Sequence, residues 1–161
     1  MDAHKLIEIL KLEPHPEEGG YYRETYRSTE NYDPGPPFQG RRSVATAIYY
    51  LLTSDSYSAI HRLPGDEVFH FYLGDPVEML MLHPNGSSEQ IVLGSDVDSM
   101  KLQHVVPGNT WQGSRLVLGG AWALLGTTMA PGFAFEDYES GTAALLVAYP
   151  KEREIIQALL R

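Results

Sequence analysis

The feature that most constrains this chain is the cadence of its middle, where short apolar or alternating runs succeed one another from Ser43 to Ala130. The runs read SVATAIYYLLT, YSAIHRL, EVFHFYLG, VEMLMLHP, EQIVLG, KLQHVVP, WQGSRLVLG and AWALLGTTMA. Between them stand TSDS, PGD, GDP, PNGS and GSDVDS, and such Gly, Pro, Asn and Asp clusters mark tight turns between strands. Strands this frequent, with so few helical stretches between them, pair antiparallel and close into a sandwich or barrel rather than into βαβ units. The expected fold class is all-β.

The ends read differently. In MDAHKLIEILKLEP, Leu6, Ile7 and Leu10 recur at helical spacing, Asp2 is a candidate N-cap, and Pro14 and Pro16 forbid continuation. In KEREIIQALLR, Ile155, Ile156, Leu159 and Leu160 form the apolar side of a terminal helix, and TAALLVAYP before it reads as a last strand. After the Gly19–Gly20 pair, YYRETYRS alternates Tyr22, Glu24 and Tyr26 against Tyr21, Arg23, Thr25 and Arg27, a strand with Glu24 on a tyrosine-rich face. Residues 28–42, STENYDPGPPFQGRR, form a loop, either a solvent-exposed connection or a lid or dimer arm; Arg41 and Arg42 at its end read as exposed solubilising charges.

Length fits a single domain over 1–161, and 43% hydrophobic with 20% charged residues is the balance of a folded globular chain. A formal charge of -9 argues against a phosphate-tracking surface, so nucleic acid is not an expected partner. The chain has no cysteine, which excludes disulfides and thiolate catalysis. Its start lacks the basic, then apolar, pattern of a signal peptide and no run is long enough to span a bilayer; the expectation is a cytoplasmic protein without a membrane partner.

The chemistry concentrates in SAIHRLPGDEVFHFYLGDP, residues 58–76. Two histidines and an acidic pair on an apolar hairpin cost desolvation free energy unless something pairs with them. Two readings of His61 stand: an acid or base oriented by Glu67 or Asp66, or a buried structural histidine paired with Glu67. Strand parity puts Glu67 with Phe69 and Phe71, and His70 with Tyr72 on the other face, where they remain candidate ligand-binding residues. Glu24 beside Tyr22 is a carboxylate and phenol of the kind that moves a proton on carbon next to a carbonyl; the alternative is a cross-strand pair with Arg23 or Arg42. Gln112 offers both ends of an amide to a polar ligand, while His4, His15, His83 and His104 have no partner at ligand spacing and are assigned no role.

HPEEGGYYRETYRS, HRLPGDEVFHFYLGDPVEML, VVPGNTWQGSRL and GFAFEDYE, in that order and over almost the whole chain, resemble the cupins, and among them the subfamily called the fifth cupin family. The resemblance implies a jelly roll, the double-stranded β-helix, with short N- and C-terminal helices, a pocket between its sheets and a homodimer. Typical cupins hold one divalent metal through two histidines and a glutamate of a first motif and a histidine of a second. Here His61, Glu67 and Gly74 keep their places in the first motif, but Leu63 replaces its second histidine and Asp55 its first glycine. In the second motif Pro107 is kept, whereas Asn109, Gln112 and Leu116 stand for glycine, histidine and asparagine. The metal-ligand set the resemblance implies is thus His61, Glu67 and Gln112, a single imidazole where transition ions usually find two or more.

The expectation is therefore a cupin that binds a small polar metabolite in its barrel pocket. Sugar isomerase or epimerase chemistry is one reading, with His61, Glu67 and Glu24 as catalytic residues and Tyr22, Gln112, His70 and Tyr72 as ligand-binding ones. A non-catalytic ligand-binding module or sensor is the other class, and a purely structural dimer is the third.

Overall fold

Each of the eight central runs is a strand in the computed structural model, which describes residues 2–161. In chain order the strands are β1 (Glu13–Pro14), β2 (Tyr21–Arg27), β3 (Asn31–Tyr32), β4 (Arg42–Ser43), β5 (Thr46–Thr53), β6 (Ser58–Arg62) and β7 (Glu67–Gly74). Next come β8 (Val77–Leu82), β9 (Ser88–Leu93), β10 (Gln103–Val106), β11 (Trp111–Leu116), β12 (Trp122–Met129) and β13 (Glu139–Ser140). A six-stranded sheet runs β1-β2-β5-β12-β7-β10 and a five-stranded sheet runs β13-β6-β11-β8-β9. From β5 to β8 and again from β10 to β13 the chain alternates between sheets, the winding of a jelly roll, and the expected all-β fold is what forms.

Alternation along the strands builds the core. Phe69 and Phe71 of β7 face inward beside Glu67 and meet Tyr50, Leu52, Met79, Met81 and Leu125, all buried. Each such apolar side chain stabilises the fold by roughly 1.5–3 kcal/mol. Three helices cover the outside. In α1 (Ala3–Leu10) Asp2 accepts from Lys5 N at 2.9 Å, and Leu6 packs on Leu51 and Leu124 of the six-stranded sheet. Both α2 (Leu145–Ala148) and α3 (Arg153–Leu159) lie on the five-stranded sheet, where Leu145, Ile156 and Leu159 meet Ile60, Leu80 and Leu82.

Three expectations are corrected here. TAALLVAYP is not a strand: β13 already pairs with β6, and the Ala- and Leu-rich run turns as α2 with Leu145 buried and Val147 exposed. Residues 28–42 are not loop throughout, because Asn31 pairs with Ser43 and Tyr32 with Arg42. Nor is Arg42 a solubilising charge. It is 4% exposed, its Nη2 and Nε donate to Asp137 at 2.6 and 3.0 Å, and Nη1 donates to Gln39 O at 2.6 Å. A guanidinium can be buried when its donors are satisfied in this way. Among the described residues, no helix is long and apolar enough to cross a membrane.

Two backbone irregularities shape the inner face of the six-stranded sheet. Gly19 and Gly20 have φ of 100° and 68°, and a Cβ on either would meet the backbone oxygen of Tyr57 at 2.4 Å or of Leu51 at 2.7 Å. Only glycine makes this close left-handed passage without strain, and it brings the segment before β2 down onto β5 and β6. In β2, Glu24 pairs with Ile48 and Tyr26 with Ala47, so Thr25 is an extra residue. This bulge inverts the alternation and carries Arg27 to the side of Tyr22 and Glu24, against the expected parity.

Candidate functional site

A cavity of about 240 Å³ opens on the inward face of the six-stranded sheet. Glu67 of β7, Thr127 and Met129 of β12 and Thr46 and Ile48 of β5 form its base, with Tyr22, Glu24 and Arg27 of β2 on one side. Glu13, His15 and Glu18 come from the segment before the glycine pair, and Phe133 and Phe135 from the segment after β12.

Glu18 is where the polar groups converge. The Ser58 hydroxyl donates to its Oε1, while Nε2 of His15 and Nε2 of His61 each lie 3.9 Å from its Oε2. The two imidazoles are held in opposite tautomers. Backbone amides of Glu17 and Glu18 donate to His15 Nδ1, the latter at 2.9 Å, so neutral His15 carries its hydrogen on Nε2. His61 Nδ1 lies 2.8 Å from the carbonyl oxygen of Ala59 and donates to it, so the neutral ring carries its lone pair on Nε2. His61 is 1% exposed and stacks on Tyr138, with ring centroids 4.9 Å apart.

Burial, and after it the charge of Glu18, pushes the Glu67 carboxyl up from its ordinary value, against the opposing pull of His61, Thr127 and Gln112. Burial likewise pulls His15 below its ordinary 6.5, with Glu18 opposing. The Tyr138 phenol is pushed up by burial and by Glu18.

Of the residues singled out in the sequence, Glu67, Tyr22 and Glu24 line the cavity. Glu24 pairs with neither Arg23 nor Arg42: Arg27 holds it through two bonds at 2.9 and 2.8 Å, which the bulge at Thr25 makes possible. His61 and Gln112 are buried behind the lining rather than in it, and Gln112 Nε2 donates to Glu67 Oε2 at 2.7 Å. His70 and Tyr72 lie outside the cavity, on the outer face of the sheet: β7 alternates from Glu67 to Phe71, and its register against β12 shifts only at Tyr72. There His70 reaches Thr128 Oγ1 at 3.2 Å and Gln103 at 3.1 Å and lies parallel to Tyr72. The reading of the sequence missed Glu18, assigned His15 no role, and put Arg27 with Arg23 on the face opposite Glu24, as basic side chains that could form a local anion site. The signal available for two of them was HPEE set directly before two glycines.

The divalent metal implied by the resemblance does not fit this donor set. His61 Nε2 is the one imidazole lone pair turned toward Glu18, since His15 presents an N–H there. Gln112 directs its N–H, not a lone pair, at Glu67. Among the described residues, no three His, Cys, Asp or Glu side chains are grouped to hold a metal ion.

Comparison with known proteins places the geometry. Residues 4–141 match the family model described as Cupin superfamily (DUF985). The chain is 30% identical over 146 residues to the uncharacterized protein YML079W of Saccharomyces cerevisiae, covering 83% of this chain and 72% of that one. It is similar to the crystal structure of protein SO0799 from Shewanella oneidensis, with a TM-score of 0.89, 34% identity, and 100% and 98% of the two chains covered. A hypothetical protein from Leishmania major gives a TM-score of 0.89 at 31% identity, over 99% of each chain. Oxalate decarboxylase from B. subtilis, at 15% identity and a TM-score of 0.59 over 93% of this chain and 38% of its own, shares the fold alone.

Proposed function

We propose, from the premise that this chain belongs to the cupin superfamily (DUF985), that it binds a small polar carbonyl metabolite and moves a proton on the carbon beside the carbonyl. This is isomerase or epimerase chemistry. The observation that carries the reading is the pairing of Glu18 and Glu67 on one cavity, with Glu67 pushed up by its burial and by its neighbour's charge. Two carboxyl groups on one cavity, one of them made less acidic by its surroundings, divide the work of acid and base.

In this reading Glu67, raised from its ordinary value, is the proton donor to the carbonyl oxygen, and Glu18 accepts the carbon-bound proton. His61 is a positioning residue, whose Nε2 lies 3.9 Å from Glu18 Oε2. Ser58 holds Glu18 from below. The cavity lies under the roughly 300–1,000 Å³ of drug-sized pockets, which suits a monosaccharide-sized ligand better than a nucleotide-linked one. The proposal also keeps the homodimer, with its contact on the sheet face that carries His70 and Tyr72.

The test is incubation of the protein with aldoses, ketoses and other small carbonyl metabolites in deuterium oxide, then NMR of the recovered compounds. The expected result is solvent deuterium at one carbon beside a carbonyl, lost in E18Q and E67Q. The burial of His61 favours a second reading, a binder without turnover. Saturable binding with no label in any compound decides for that one.

A further inference from the structure

We infer that the ligand carries a protonated amine, a small polyhydroxylated amine rather than a phosphate or carboxylate. The inference rests on the reading of this cavity as a ligand site and names the class of molecule it takes. Four carboxyl side chains border the cavity, Glu13, Glu18, Glu24 and Glu67, against the single guanidinium of Arg27. That guanidinium is already engaged: Nε and Nη2 close on Glu24, and Nη2 also donates to Phe133 O at 3.0 Å. His15 supplies no cation, since its Nδ1 accepts two backbone amides and its burial opposes protonation. An anionic ligand would therefore face four carboxyl groups with only the Nη1 edge of Arg27 to meet it.

The ammonium itself belongs at the rim. Tyr22 pairs across the strands with Glu13 and shares its face of β2 with Glu24, and both charges act on its phenol. Its ring meets His15 at 4.6 Å, and His15 in turn meets Phe135 at 5.9 Å. An ammonium over the Tyr22 face is attracted by the ring and by two flanking carboxylates, whereas a hydroxyl gains neither charge term.

The experiment is isothermal titration of the whole chain with four hexoses that differ in one substituent: glucosamine, glucose, glucuronate and glucose 6-phosphate. A set of amino polyols extends the first arm. The expected result is that an amine binds about tenfold or more tighter than its neutral counterpart. E13Q, at an exposed rim position, is expected to weaken the amine about threefold and the neutral sugar less, narrowing the gap between them. Y22L is expected to narrow the same gap by removing the ring face. Equal or tighter binding of glucose overturns the amine while leaving the ligand site standing. Preference for glucuronate or the phosphate overturns it too, as does rejection of every amine in the set. Deuterium exchange into a neutral substrate separately sustains the proton-transfer reading in any of those cases.

Discussion

Gln112 Nε2 donates to Glu67 Oε2 at 2.7 Å, tying β11 of one sheet to β7 of the other at the base of the cavity. The bond favours the charged carboxylate. Replacing Gln112 with Leu leaves a buried carboxyl short of a partner, at a cost of about 1–3 kcal/mol. The Glu67 titration is expected to move further upward in Q112L. Urea unfolding gives the first quantity and carboxyl-labelled NMR the second; an unmoved titration would contradict the assigned bond.

The raised Glu67 carboxyl also makes stability depend on pH. A group whose native value lies above its unfolded one, 4.5 here, contributes stability in full below that unfolded value and loses it as pH rises through the native value. Wild-type stability measured against E67Q is therefore expected to decline with rising pH from about 4.5 upward. His15, pulled below 6.5, works the other way, with its contribution present above 6.5 and lost on acidification. Urea titrations of wild type, E67Q and H15N across that range test both signs. A pH-independent difference between wild type and E67Q sinks the Glu67 assignment.

Arg42 fastens the segment that carries Phe133 and Phe135 to the rest of the molecule through Asp137. In R42M the volume is roughly kept but Asp137, itself mostly buried, loses its cation. Removing one partner of a buried pair costs on the order of 3–5 kcal/mol. A large fall in melting temperature is expected, with D137N less severe because the remaining amide still meets the guanidinium. Equal losses in the two variants would mean that packing, not charge, holds the segment.

The donor set at Glu18 leads to a statement about metal. Plasma mass spectrometry of wild type and H61A, purified identically, is expected to find far less than one transition ion per chain in each. Stoichiometric metal in the wild type that disappears from H61A would overturn the assignment of tautomers around Glu18.

The outer face of the six-stranded sheet carries Tyr49 edge-on to Tyr72 at 6.1 Å, His70 parallel to Tyr72, and exposed Leu73. Light scattering is expected to give a dimer for the wild type and a monomer for Y72E. A wild-type monomer at micromolar concentration would refute the proposed contact.

Much of the fold was legible because strand alternation and turn chemistry are local. The eight central runs, the capping of α1 by Asp2 and the inward set Glu67, Phe69 and Phe71 arise from spacings of a few residues. TAALLVAYP was misread for the same reason: a short apolar run suits strand or helix alike, and the choice fell to a neighbour, β13, that had already taken the edge of β6.

The site was half legible. The sequence by itself determined the all-β class and the inward side of β7, since periodicity is a property of the chain alone, and its resemblance to the cupins implied the jelly roll and the set His61, Glu67 and Gln112. Tertiary structure alone decided that Glu18 is the centre, because Ser58, His15 and His61 reach it from separate segments after the Gly19–Gly20 passage folds it inward. It likewise decided that Arg27, not Arg23 or Arg42, holds Glu24, because one bulged residue reverses a strand's faces and nothing in YYRETYRS announces it.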